Sequence, residues 1–289
     1  MSQSTIKNWE QRAWFASTST TQTTATWAVR IDKKEEFPPN FAGESIFTSA
    51  PYRVYLPEDP REEITRPESA ICLSPSGIDV LEILAVKITV LHFDFDKVLW
   101  IEEGSVLLHG WLAFRDSEKS YRVFFNDTNH SYFIPIIHSL RIKAFSLDVP
   151  EILELAKTPH GILALEKRDF GLMNMCREAV TDDESFIQLY FQESLDNRGP
   201  FAVVIAKNEV VFCRHIITDE GPAKIRGVSN HYVLLPSREA FSLIHRETRD
   251  VLSLPLMPEG TGGFFSFYRT GAEIDQFMLK LREILTILG

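Results

Sequence analysis

The sequence predicts an α+β protein that is mostly β, with two antiparallel units of curled-sheet or barrel type. Apolar and polar residues alternate with period two from about residue 71 to 143, and again after residue 185. Short polar turns interrupt these segments at intervals of about ten residues, which is typical of antiparallel sheets. One strongly amphipathic segment closes the chain, which adds a C-terminal helix to the prediction.

Composition bounds the class of protein. The chain has 289 residues, of which 44% are apolar and 24% charged, so it is long enough for one large domain or two average ones. The formal net charge is −10, and no segment is strongly basic. A nucleic-acid partner needs a basic face, so we expect none, and we interpret the charge as favouring solubility.

Cysteine use and apolar runs indicate the compartment. The three cysteines Cys72, Cys176 and Cys213 are far apart, which predicts a reducing environment and no disulfide framework. The first residues lack the apolar core of a signal peptide, and no apolar run approaches the roughly 18 residues that span a bilayer. We therefore expect a cytoplasmic protein without a transmembrane segment.

The N-terminal arm, residues 1–30, has its own composition. The stretch Ser17–Thr26 is nearly all Ser, Thr and Gln, and tryptophans flank it at Trp9, Trp14 and Trp27. Such a stretch buries little apolar area, so we expect a partly mobile arm. Because exposed indoles are costly, a homo-oligomer with an interface on this arm is one hypothesis.

The other domain boundaries are predicted where the spacing of apolar residues changes. We predict a β-rich unit at 31–147, a helical connector at 148–182 and a second β-rich unit at 183–289. In the connector, Asp148 followed by Pro150 is typical of a helix start, and a second helix is predicted from Asp169 to Val180.

The strand pattern is explicit in the first unit. Tyr52–Leu56 is one predicted strand and Val106–Phe114 another, with a turn at Glu102–Ser105 between the latter and the preceding strand. No helix is predicted between residues 71 and 143. Glu102 and Glu103 form an adjacent carboxylate pair, which we expect to be solvated on that turn because neighbouring turn residues point apart.

The C-terminal segment has a clear helix signature. Thr270 and Glu273 match a capping box, in which each side chain accepts from the backbone N–H of the other end. Seven apolar residues then recur at helical spacing: Ile274, Phe277, Met278, Leu281, Ile284, Leu285 and Leu288. This stripe predicts a helix packed on the preceding sheet.

Four segments carry a resemblance to a known family. They are Phe93–Leu112, Leu172–Val180, Gln188–Gln192 and Lys207–Phe212. Together with the strand order and the capped terminal helix, they resemble bacterial pleckstrin-homology-like (PH-like) domain proteins of uncharacterised function, over about residues 70–289. The resemblance implies tandem PH-like units. The loop before the second strand offers Arg198 as its one basic side chain, so we expect no phosphoinositide site.

One polar triplet suggests a metal site. His92, Asp94 and Asp96 alternate with Leu91, Phe93 and Phe95, so on a strand the three ligand-type side chains share a face. Such a set suits a hard or borderline divalent cation. The alternative is a half-buried strand, because residues two apart lie nearly 7 Å from each other along a strand.

Cys213 and His215 are a candidate pair of thiol nucleophile and base, because a thiol nucleophile needs a base nearby. At this spacing on one strand the two side chains are too far apart, and Cys213 stands among apolar residues, so we interpret it as a core residue.

Two functions follow from these observations. The first is a non-catalytic binding or scaffold protein, in which a groove lined by Trp100, Trp111 and Arg198, or an open sheet edge, receives a protein segment or small ligand. The alternative is an enzyme of unrecognised type, such as a metal-assisted hydrolase at His92. The sequence has no catalytic or cofactor motif of a known kind, so no cofactor is predicted.

Overall fold

A computed structural model describes residues 27–58, 66–106, 108–145, 160–180, 186–192, 200–206, 209–218, 225–234, 242–246, 249–253, 264–268 and 279. Most of this part of the chain is β structure, as the sequence predicts. The strands of the first half are β1 Val29–Arg30, β2 Tyr52–Leu56, β3 Ser69–Leu73, β4 Gly77–Leu84, β5 Lys87–Asp94, β6 Trp100–Val106, β7 His109–Arg115 and β8 Ser120–Asn126. Those of the second half are β9 Phe186–Gln192, β10 Phe201–Ala206, β11 Glu209–Thr218, β12 Ile225–Leu234, β13 Ser242–Arg246, β14 Arg249–Ser253 and β15 Phe264–Tyr268.

These strands form three sheets. The first has five strands in the order β1-β2-β3-β4-β5, so each strand pairs with its neighbour in sequence. The second has seven strands in the order β8-β7-β6-β12-β11-β10-β9, and the third is the meander β13-β14-β15. The five- and seven-stranded sheets are antiparallel, which confirms the predicted sheet type.

Four α-helices are described: α1 Ser45–Ser49, α2 Ile134–Ile142, α3 His160–Leu163 and α4 Phe170–Ala179. The helix predicted from Asp169 is confirmed as α4, and Asp169 caps it by accepting the backbone N–H of Leu172 at 2.9 Å. None of the described helices is long and apolar enough to cross a membrane.

The chain divides into two compact units. Among described residues, the N-terminal unit contains those within 27–101 and 107–153, and the C-terminal unit those within 102–106 and 154–289. The boundaries predicted from sequence at 31–147, 148–182 and 183–289 stay predictions.

The core of the N-terminal unit lies on one face of the five-stranded sheet. Val54, Ile71 and Val80 stand opposite one another on β2, β3 and β4, and all three are fully buried. Phe93 of β5 continues this face and meets Phe114 of β7 edge-to-face, with ring centroids 4.8 Å apart. The period-two alternation of the sequence therefore produces one continuous apolar face.

The segment between β1 and β2 covers part of the other face. Phe41 and Phe47 are fully buried there, with stacked rings whose centroids lie 5.6 Å apart. Phe37 joins them at the edge of the same cluster. These aromatic side chains bury a sheet face that carries mixed apolar and polar residues.

In the C-terminal unit, β10 and α4 form the core. All six residues of β10 are buried, so both faces of this strand are covered. Helix α4 packs on β10 and β11 with its buried side, which is formed by Leu172, Met173, Met175, Cys176 and Ala179.

Two local predictions are wrong. Glu102–Ser105 is part of strand β6 and not a turn, because the chain turns after Val106. Helix α2 was not predicted, since its sequence, Ile134–Ile142, is rich in β-branched residues that favour strands. The proline at its first turn fixes a helical φ and needs no N–H partner there.

The strand predicted at Tyr52–Leu56 is confirmed as β2, with the same bounds. Strands β10 and β11 form a hairpin. The C-terminal helix predicted after Thr270 is described at Leu279 alone, which is helical. The arm up to residue 26 and the first connector helix near Asp148 lie outside the described residues.

The turn between β4 and β5 is strained. Leu84 pairs with Lys87, so Ala85 and Val86 are the two residues of the loop, and both have positive φ (50° and 67°) as in a type I′ turn. A β-branched residue adopts this conformation at a cost, and Val86 gains nothing from packing because it is fully exposed.

We therefore predict that the double variant Ala85→Asn/Val86→Gly is more stable than the parent by about 1 kcal/mol, since Asn-Gly is the favoured I′ dipeptide. The measurement is the urea midpoint of unfolding. Val90→Gly is the control, because it lies in strand β5 outside the loop, and it should lower the urea midpoint. A lower midpoint for Ala85→Asn/Val86→Gly would contradict strain in the turn.

Candidate functional site

A row of polar side chains crosses the five-stranded sheet. Arg53 of β2 stands opposite Cys72 of β3, Cys72 opposite Asp79 of β4, and Asp79 opposite His92 of β5. Because directly opposite residues point to the same face, a guanidinium, a thiol, a carboxylate and an imidazole share one line across four strands. We call these four residues the polar row.

The row ends in a chain of hydrogen bonds at β5. His92 Nδ1 lies 2.8 Å from Asp79 Oδ1, and His92 Nε2 lies 3.0 Å from Asp94 Oδ1. Asp94 is on the same face because it follows His92 by two residues. Its second oxygen lies 2.6 Å from Lys97 Nζ. The His92 side chain is 44% exposed, so this cluster is accessible to solvent.

The cluster favours a charged imidazole. Partial burial acts to lower the pKa of His92, but its hydrogen bonds and attraction to Asp79 and Asp94 outweigh burial and raise that pKa. The hydrogen bonds from Lys97 and His92 in turn lower the pKa of Asp94. When protonated, His92 donates from both ring nitrogens, which joins two carboxylates through one cation.

Of the triplet suggested as a metal site, two members come together. Strand β5 ends at Asp94, and Asp96 lies in a 3-10 turn, Phe95–Lys97, where its backbone carbonyl accepts from Lys143 Nζ at 3.3 Å. The third member of the cluster is Asp79, which the sequence argument missed. Across the described ranges, no three His, Cys, Asp or Glu side chains converge to hold a metal ion, so the metal interpretation gains no support.

Cys72 lies in the polar row without the properties of a nucleophile. It is 1% exposed, and burial, with Asp79 adding to it and Arg53 opposing it, raises the pKa of its thiol to about 12. A thiol with this pKa is protonated near neutrality. Asp79 also stands between it and His92, so the base is out of reach.

The second sequence candidate, His215, has a partner in the C-terminal unit. Its Nε2 lies 3.2 Å from Asp169 Oδ1, the same oxygen that caps α4. Gly171 permits this approach, because a Cβ there would lie 3.2 Å from His215 Cε1. Cys213 is fully buried, as expected for a core residue. We interpret the pair as a link between the start of α4 and β11.

The groove suggested at Trp100, Trp111 and Arg198 stays a prediction. Trp100 is 4% exposed and lies in the core, whereas Trp111 is half-buried on β7. Arg198 lies outside the described residues. The expectation of a solvated glutamate pair is wrong for Glu102, which is 5% exposed in β6, and Glu103 accepts a hydrogen bond from the Tyr232 hydroxyl.

One further feature adjoins the His92 cluster: the outer edge of β5. Strand β5 is last in its sheet, and no described strand pairs with its outer side. In a two-residue hairpin the residues flanking the loop, here Leu84 and Lys87, exchange hydrogen bonds, and every second residue thereafter does the same. The inward N–H of Phe95, which bonds Ser76 O at 3.1 Å, fits this alternation.

The backbone groups of Ile88, Val90 and His92 therefore point away from β4. Within the described ranges these groups have no hydrogen-bond partner. Val90 is 39% exposed, and at the hairpin end Leu84 is 48% exposed. We call the outward-facing residues Ile88, Val90 and His92 the open edge. It combines unpaired backbone donors and acceptors with an apolar centre and a charged end.

Comparison with known proteins finds no match among family models, curated proteins or solved structures. The properties of this site therefore rest on its own geometry.

The His92 cluster predicts a pH dependence. The folded-state pKa of His92 is raised, so the cluster stabilises the fold fully below the unfolded value of about 6.5, and loses this contribution as pH rises through the folded pKa. Because the ring is exposed, we expect the contribution to remain below about 1 kcal/mol.

Imidazole NMR titration should show a His92 pKa above that of an unstructured histidine, and Asp79→Asn should lower it. Asp96→Asn is the matched control, because Asp96 has no contact with the ring. Equal His92 titration in the wild type and Asp79→Asn would contradict the ion pair.

Proposed function

We propose that this protein is a non-catalytic binding or scaffold protein, which takes up an extended peptide segment of a partner as an added strand along the open edge. The observation that carries this proposal is the row of outward backbone groups at Ile88, Val90 and His92, for which the described residues supply no partner. Strand addition is a common way for proteins to recognise extended peptides, since main-chain hydrogen bonds provide affinity.

The side chains of the edge suggest which segments fit. Residues of an added strand that face Val90 meet an apolar surface, so an apolar side chain would bury area there. Two residues along, the neighbour is His92 with Asp94. A polar side chain at that position would meet the hydrogen-bonded pair of His92 and Asp94. The net charge of −10 also favours a basic segment.

The PH-like assignment belongs to this proposal. Antiparallel sheets and a predominantly β chain support it, and the lack of a basic cluster in the sequence supports a peptide over a phosphoinositide. The cytoplasmic location stays a prediction of the sequence.

The test is selection of peptides of about 12 residues from a random display library on the immobilised full chain, followed by measurement of Kd by fluorescence anisotropy. Val90→Pro removes an outward N–H and leaves the hydrogen bonds to β4 in place, because proline is tolerated where the N–H faces solvent. We expect selected peptides to bind this variant at least about tenfold more weakly, since main-chain pairing along the edge is interrupted.

Val86→Lys is the matched control, because Val86 is exposed in the loop and outside the edge; it should bind as the wild type does. Circular dichroism checks that Val90→Pro folds, and Val90→Lys replaces it if it does not, since a lysine on an edge strand also opposes pairing. Selected peptides that bind Val90→Pro and wild type equally would refute the proposal. A dimer would also refute it, if light scattering shows the wild type to be dimeric and Val90→Pro to be monomeric. The edge would then pair with a second copy of this chain.

A further inference from the structure

The tip of the β4–β5 hairpin is exposed and largely apolar. Leu84, Ala85, Val86 and Lys87 are four exposed residues in a row, and Val86 is fully exposed. Of the nine large apolar side chains that are exposed in the described ranges, Leu84, Val86 and Val90 lie on this one hairpin. Single exposed apolar residues are normal on a protein surface, whereas a cluster of them marks an interaction surface. We call residues 84–87 the hairpin tip.

The residues that flank the tip hold it on a fixed base. Ile83 and Ile88 stand opposite each other and pack against the buried cluster that contains Phe41 and Phe47. Beyond this base, Val86 carries a β-branched side chain at a φ of 67°, and its full exposure means that no packing within the chain offsets the strain. A contact outside the chain would give Val86 the role that the fold itself does not.

The tip is also free of acidic residues in an acidic protein. The formal net charge of the chain is −10, but residues 83–93 contain no Asp or Glu, and Lys87 is basic. The nearest acidic residue along the chain, Glu82, precedes the loop and is half-buried, with a pKa that burial raises. A phosphate headgroup at the tip therefore meets a cation at Lys87 and no carboxylate of the loop.

From this we infer that the hairpin tip inserts into the surface of a phospholipid bilayer. The hydrophobic effect is non-directional, so a bilayer takes up a convex aliphatic tip without a matching pocket. The anchors of protein–protein interfaces are mainly Trp, Tyr and Arg, and the tip contains none of them. Because the net charge of −10 opposes binding to a strongly anionic membrane, we assign the tip to a zwitterionic phosphatidylcholine surface.

The turn itself limits the depth of insertion. The backbone groups of Ala85 and Val86 lie beyond the last pair of the ladder, Leu84 with Lys87, and hydrocarbon offers such groups no partner. The tip therefore stops at the boundary between headgroups and acyl chains, where Lys87 reaches the phosphates at the end of its aliphatic stem. Because few carbon atoms are buried, we expect reversible binding, weaker than the roughly 10⁴ M⁻¹ of a single myristoyl chain.

The test is co-sedimentation of the full-length protein with phosphatidylcholine vesicles, over a series of lipid concentrations up to the millimolar range. The wild type should bind saturably. Val86→Asp should bind at least about tenfold more weakly, because its carboxylate would have to lose water at the boundary. Aspartate tolerates a positive φ, so this variant keeps the turn.

Two further variants separate loss of binding from loss of structure. Ala85→Asn/Val86→Gly, which we expect to be more stable than the parent, should also bind vesicles at least about tenfold more weakly, since it removes the aliphatic side chain of Val86. Val29→Asp is the matched control, because Val29 is 43% exposed at the opposite edge of the same sheet, and it should bind as the wild type does. The tip lies outside the open edge, so failure of the vesicle assay leaves the peptide assay unaffected.

Four results would overturn the assignment. The first three are no binding of the wild type to vesicles, equal binding of the wild type and Val86→Asp, and equal loss in Val29→Asp and Val86→Asp. The fourth is a wild-type dimer in the absence of lipid, seen by light scattering, that Val86→Asp converts to a monomer. The tip would then pack on a second copy of this chain.

Discussion

The register of the β4–β5 hairpin is the constraint on which the site depends. The two-residue loop at Ala85 and Val86 fixes Leu84 opposite Lys87, and the same count places Asp79 opposite His92. Because side chains alternate with period two, a slip of one residue would turn His92 towards the core face and direct the backbone of Val90 inward. The strained turn, the ion cluster and the open edge are thus consequences of one pairing.

The same register places the four residues of the polar row in one line. The face that carries Val54, Ile71 and Val80 is largely apolar, and Glu82 of β4 is an ionisable member of it, with a pKa that burial raises. On the opposite face, Asp79 bonds His92, so the ion cluster lies at the solvent-exposed end of the row.

The sequence predicts much of the fold because period-two alternation determines strands directly. β2 follows from such a run, and α4 follows from the Asp169 cap and its apolar spacing. Helix α2 could not be predicted, because propensity favours strands in its sequence and tertiary burial of Ile136 and Leu140 decides the outcome.

The site is predicted only in part. His92 and Asp94 are neighbours on one strand, so alternation alone brings them together. Asp79 and Arg53 join them through pairing between strands, for which the sequence holds a signal only once the Ala85–Val86 loop is recognised. That loop lacks the glycine or asparagine that usually marks a type I′ turn, so the signal was missed.

Residue-resolved amide hydrogen exchange tests the central claim most directly. In the free protein we expect alternation along β5: the amides of Thr89, Leu91 and Phe93 exchange slowly because they bond to β4, and those of Ile88, Val90 and His92 exchange at least about tenfold faster because they face solvent. Uniform protection of all six amides would show that the edge is already covered, and it would contradict the open edge.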